Sequence, residues 1–177
     1  MDGSAASSVP SALLAEIPAA EPVVGRWRER LDANTRLGIP AHVTVNYPFI
    51  PAGDIDGPAR QRLTDLFGSV PSFGFVLDRV GWFETEVVWL GPRDPAPFRA
   101  LTDRVFAEFP AYPPFGGQFD ELIPHLTVGH RQPVADLRAA AAAVRPQLPV
   151  EGVVRAVSLW TQTSDQRWQR NATFGLA

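Results

Sequence analysis

Ala41-His42-Val43-Thr44-Val45 returns about eighty residues later as Pro124-His125-Leu126-Thr127-Val128. The chain has only three histidines, and two of them stand in this same His-x-Thr-apolar setting. With threonine at about one residue in twenty, chance would produce two such coincidences in roughly one sequence in a hundred. In both copies the residues between and after the polar pair are β-branched or aliphatic, which predicts half-buried strands of period two. His42 and Thr44 then share one face, with Val43 and Val45 on the other. His125 and Thr127 stand the same way against Leu126 and Val128.

Working outward, Ser11 to Ile17 reads as a strand ended by Pro18, and Glu21 to Leu31 as a helix with Val24, Trp27 and Leu31 on one face. Gly38 and Pro40 punctuate the chain before the first motif strand, which runs to about Tyr47 and stops at Pro48. Ala59 to Phe67 is a short amphipathic helix closed by Gly68. Phe73 to Val80 and Trp82 to Leu90 read as two antiparallel strands. Gly91, Pro92, Pro95 and Pro97 mark the expected boundary between two halves.

Beyond it, Phe98 to Phe109 has helical periodicity, Pro110 to Gly117 is too rich in Pro and Gly for regular structure, and the second motif strand follows. Val134 to Val144 is an alanine-rich helix stopped by Pro146. Val150 to Trp160 and Trp168 to Leu176 read as strands of a terminal hairpin. The order predicts an α+β fold with an internal pseudo-repeat, one His-x-Thr strand in each half.

The 177 residues suit one domain, expected over residues 11–177 behind a short disordered lead-in at residues 1–10. A formal net charge of −3, evenly spread, gives no general grip on a nucleic-acid backbone. The chain has neither lysine nor cysteine, which excludes Schiff-base and P-loop lysine chemistry, disulfides, thiolate catalysis and thiolate metal sites. Met1 to Pro10 lacks the early positive charge of a signal peptide, and no apolar run reaches the roughly twenty residues of a membrane helix. The expectation is a soluble cytoplasmic monomer with no membrane contact and no obligate protein partner.

A neutral imidazole accepts a proton and a protonated one donates it, and a pKa near 6.5 allows both forms around neutrality. Two imidazoles on either side of a scissile bond can divide these roles in an in-line displacement at phosphorus. A hydroxyl two residues from each is placed to donate to the non-bridging oxygens. The chemistry implied is metal-free cleavage of a phosphodiester with an alkoxide leaving group, a strained five-membered cyclic phosphate being the best target. Three histidines could bind zinc in principle, but the recurring threonines are poor zinc ligands, so neither metal nor other cofactor is expected. A single strand histidine on its own would read as a hydrogen-bonded structural residue; the pairing reverses that.

His42-Val43-Thr44-Val45 and His125-Leu126-Thr127-Val128 resemble the two signature motifs of the 2H phosphoesterase superfamily. The flanks, from His42 to Phe49 and from Phe119 through Asp120 to His125, resemble its bacterial branch of 2'-5' RNA ligase and RNA cyclic phosphodiesterase proteins. The likeness runs from about residue 11 to the end, and only the two motifs are specific. It implies a bilobal, pseudo-two-fold fold, with antiparallel sheets lining a central cleft and helices outside. It implies opening of a 2',3'-cyclic phosphate on an RNA end or small nucleotide, with His42 and His125 as acid and base and Thr44 and Thr127 binding phosphate.

2'-5' RNA ligation, or a catalytically silent RNA- or nucleotide-binding module of the same fold, is the alternative. Several members carry an arginine shortly after the second motif, where this chain reads Gly129-His130-Arg131, so His130 and Arg131 join Tyr47, Tyr112 and Phe115 as candidate substrate-binding residues. Trp82, Phe83, Trp89, Trp160 and Trp168 read instead as core or hairpin packing.

Overall fold

Period-two burial organises eight strands into two four-stranded antiparallel sheets in the computed structural model, which describes residues 9–119 and 121–177. Most of the expected lead-in, and Asp120, lie outside these described residues. One sheet has the order β2 (His42–Asn46), β1 (Ser11–Glu16), β7 (Ala156–Gln162), β8 (Trp168–Gly175). The other runs β5 (Leu126–His130), β4 (Val87–Pro92), β3 (Phe73–Phe83), β6 (Val150–Val154). Each motif therefore lies on or beside the edge strand of its own sheet, and the two edge strands, β2 and β5, pack against each other.

Five helices cover the sheets: α1 (Glu21–Leu31), α2 (Ala33–Arg36), α3 (Gly57–Gly68), α4 (Ala96–Glu108) and α5 (Val134–Val144). The faces away from the cleft carry Leu13, Ala15, Val43, Leu77, Leu90 and Leu126, all essentially inaccessible to solvent. Each larger aliphatic side chain of this kind stabilises the fold by about 1.5–3 kcal/mol relative to exposure. Packing crosses between the two motif regions, because α1 rests on β5 and α4 on β2. Among the described residues no helix is long and apolar enough to cross a membrane.

Three expectations are corrected. The Pro-rich stretch after Gly91 is not the boundary between the two halves, because β4 before it pairs with β5 after it. Proline there only ends β4 and starts α4, with Pro95 at its N-cap. Val150 to Trp160 is not one strand: the chain leaves β6, paired with β3, and crosses at Arg155 into β7, paired with β1 and β8. With no Gly or Pro between Val153 and Trp160, nothing local marks the crossing. The first sheet is thus built from both ends of the chain, and the second from its middle.

The turn of the β3–β4 hairpin lies at Glu84 to Glu86, with Glu84 at φ 50°, and not at Gly81. Gly81 is inside β3 because the ring of Trp89 lies over it: a Cβ there would meet the indole at 2.2 Å.

Candidate active site

Both motifs keep the expected alternation. His42 and Thr44 are half-buried while Val43 and Val45 are buried, and His125 and Thr127 stand likewise against Leu126 and Val128. Each strand then skips one residue in its pairing. Leu14 pairs with Thr44 but Leu13 with Asn46, passing over Val45. Trp89 pairs with Thr127 but Val88 with Gly129, passing over Val128. A bulge thus falls at the same motif position in both copies and turns two consecutive residues, Val45 with Asn46 and Val128 with Gly129, into the core. At Val45 the displaced backbone is secured by α4, whose Thr102 hydroxyl donates to the Val45 carbonyl at 2.8 Å.

The histidines are oriented identically. Nδ1 of His42 donates to the Pro40 carbonyl at 2.8 Å, and Nδ1 of His125 to the Ile123 carbonyl at 2.7 Å. A carbonyl only accepts, so each neutral ring carries its proton on Nδ1 and leaves Nε2 as the free base. The His42 imidazole is held down from 6.5 to about 4, chiefly by burial and to a lesser degree by Arg28 and His125, against the Pro40 bond and Asp32, which raise it. Burial also lowers His125, opposed by the Ile123 bond.

The two environments differ. Glu16 lies directly across from His42 on β1, yet its carboxylate is occupied by Trp160 Nε1 at 3.1 Å and by Arg170 at 2.9 and 2.6 Å. His125 instead meets aromatic rings, Phe83 in a T-shaped contact at a centroid distance of 4.8 Å and Trp89 at 6.0 Å.

A cavity of about 400 Å³ opens beside Thr44 and His125. Its walls are α4, through Thr102, Asp103 and Phe106, and the connection to β5, through Phe115, Phe119 and Ile123. Phe106, Phe119 and Ile123 remain exposed, so apolar surface faces solvent at the mouth. Arg99 is the one cation of the lining among the described residues, and it is engaged by Glu121 at 2.9 Å and by the Leu122 carbonyl at 3.1 Å.

Of the residues singled out in the sequence, Thr44, His125 and Phe115 line this cavity, and His42 and Thr127 lie on the adjoining strands. Tyr47 is exposed with its ring edge toward Trp168, and only its carbonyl reaches the cavity wall, accepting from the Phe115 amide at 2.6 Å. Tyr112 packs on Phe49 as part of the core. His130 and Arg131 lie at the other end of β5: His130 pairs with Val87, and Arg131 with Glu86 at 3.5 Å. They do not join the cavity. Among the described residues no group of three His, Asp or Glu side chains is placed to hold a metal ion.

Sequence reading missed Phe83 and Trp89 as neighbours of His125, taking them for packing alone, missed Arg99, Asp103 and Phe106 altogether, and named Phe119 only as part of a motif flank. Glycine at 81 and 91, both needed to clear the Trp89 ring, was the available signal that an aromatic side chain lies flat on this sheet.

The family model of the 2'-5' RNA ligase superfamily matches residues 15–166. No curated protein sequence matches the chain. Among solved structures, E. coli LigT complexed with NADP+ superposes with a TM-score of 0.61 at 21% identity, covering 96% of this chain and 98% of LigT. E. coli LigT complexed with 3'-AMP gives 0.59 at 18%, covering 97% and 99%. TT0787 of Thermus thermophilus gives 0.60 at 17%, covering 94% and 97%. At these identities the likeness is one of fold, and it bears out the α+β arrangement of two antiparallel sheets with helices outside.

Proposed function

Because this chain belongs to the 2'-5' RNA ligase superfamily, we propose that it is a metal-independent phosphoesterase that opens a 2',3'-cyclic phosphate on a nucleotide or RNA end. The observation that carries this is the matched orientation of two imidazoles on neighbouring edge strands, each with Nδ1 tied to the carbonyl two residues before it. One neutral Nε2 takes a proton from water as the water oxygen bonds to phosphorus. The bond from phosphorus to one ribose oxygen breaks, and the other imidazolium gives its Nε2 proton to that oxygen. The products are a phosphomonoester and a free hydroxyl. Thr44 and Thr127 donate to the non-bridging oxygens, where charge grows in the transition state.

The size and lining of the cavity support a small or terminal substrate. LigT has been solved in complex with 3'-AMP and with NADP+, molecules of nucleotide size. Ligation would require holding two RNA ends, and the lining offers Asp103, Glu121 and a single arginine already paired, so hydrolysis is favoured. A panel of 2',3'-cyclic nucleotides and short RNAs with cyclic ends, assayed with and without EDTA, tests the reading. Turnover insensitive to EDTA supports it, and binding without turnover across the panel would reassign the chain as a silent binding module.

A further inference from the structure

We infer that Arg28 and Arg99 are a pseudo-symmetric pair of positioning residues, each fixing the backbone strap that orients one histidine. The inference rests on the two-histidine reading above. The strap of His42 is Ile39-Pro40-Ala41, and Arg28 Nη2, from α1, donates to the Ile39 carbonyl at 3.4 Å while paired with Asp32 at 3.0 Å. The strap of His125 is Leu122-Ile123-Pro124, and Arg99 Nε, from α4, donates to the Leu122 carbonyl at 3.1 Å while its Nη2 pairs with Glu121 at 2.9 Å. In both cases a helix arginine with a carboxylate partner holds the carbonyl three residues before the histidine. The next carbonyl along, two residues before, takes the imidazole proton. The position just before each histidine is also accounted for: Ala41 N–H donates to Glu21 at 2.7 Å, and Pro124 has no N–H to satisfy.

The two copies differ in burial. Arg28 and Asp32 are 1% and 2% exposed, whereas Arg99 and Glu121 are 42% and 74% exposed. Arg28 stays in the core although its Nε and Nη1 find no hydrogen-bond partner, a cost that an apolar side chain would avoid. Holding the strap accounts for its retention. A strap free to shift would release Nδ1, allow the proton to move to Nε2 and block the base.

The test reads tautomers directly, by 15N–1H correlation of the imidazoles, and needs no turnover. In the unaltered protein both rings carry the Nδ1 proton. Arg99→Ala is expected to give His125 a mixture of tautomers and leave His42 unchanged, with kcat falling on the order of ten- to a hundred-fold and KM nearly constant. Glu121→Gln should act in the same direction and less. Arg28→Gln combined with Asp32→Asn, which leaves no lone buried charge, should do the reverse, disturbing His42 only. If this double variant does not fold, the Arg99 and Glu121 variants decide alone. An unchanged His125 spectrum in Arg99→Ala overturns the inference. So does a loss confined to KM, which would make Arg99 a substrate ligand, or an equal response of both rings to either change, which would mean general loosening.

Discussion

His42 and His125 share a backbone address and little else. Both precede a threonine by two residues and a strand bulge by three, and both donate Nδ1 to the carbonyl two residues back. Around that frame, His42 is set among charges, with Arg28 and Asp32 behind it and Glu16 across the ladder, whereas His125 leans on the rings of Phe83 and Trp89. The backbone thus repeats what orients a proton carrier, and the side chains around it vary what sets its proton affinity. Under the proposed mechanism, this is how two chemically equal imidazoles become unequal as acid and base.

The largest effect expected is on the pair itself. His42→Ala and His125→Ala should each lower kcat by on the order of a hundred- to ten-thousand-fold with the circular dichroism of the fold retained. The double variant should be little worse than the poorer single one, because the two act as a unit. Near-normal turnover in either single variant removes that histidine from the pair. Next, Thr44→Val and Thr127→Val should each cost about a hundred-fold in kcat. A loss at only one of them would mean that the two motifs bind phosphate unequally.

What made the pair readable was local: a four-residue pattern with period-two burial, stated twice. Helices α1 and α5 were readable to their end residues, because Pro18 and Pro146 punctuate them and their apolar spacing is regular. The threading was not, since nothing in Val150 to Trp160 marks the exchange of sheets at Arg155, and strand partners are a long-range property. The supports of the histidines were equally hidden. Arg28 alternates with Arg26 and Arg30 on α1 with nothing in the sequence to set it apart, and its partners include a backbone carbonyl that no side-chain motif can report.

The bulges allow a finer comparison. At the second bulge position Asn46 occupies one copy and Gly129 the other. A Cβ on Gly129 would stand 2.6 Å from Leu137 and 3.0 Å from Leu31. Gly129→Ala should therefore cost about 1–3 kcal/mol of stability, read from the denaturation midpoint. No change in the midpoint would mean that α1 and α5 yield there.

The remaining effects are those of pH. With His42 near 4 in the folded protein and 6.5 when unfolded, the unfolded chain takes up a proton that the native one refuses as pH falls between these values. Stability should decline through that window, and His42→Gln should remove this part of the decline. Since burial lowers both imidazoles, kcat/KM should peak on the acid side of 6.5. A bound phosphodiester anion favours both imidazolium forms, so the kcat profile should lie at higher pH than that of kcat/KM. Coincident profiles would mean that the anion does not sit between the rings.

Because the sheet that carries His42 takes in β7 and β8, both motifs are synthesised before that sheet can be completed. Until β7 emerges, this sheet consists of β1 and β2 alone, and a two-stranded ribbon by itself is marginal in water. The last strands contain neither motif, yet the sheet that holds His42 is complete only when they have joined it.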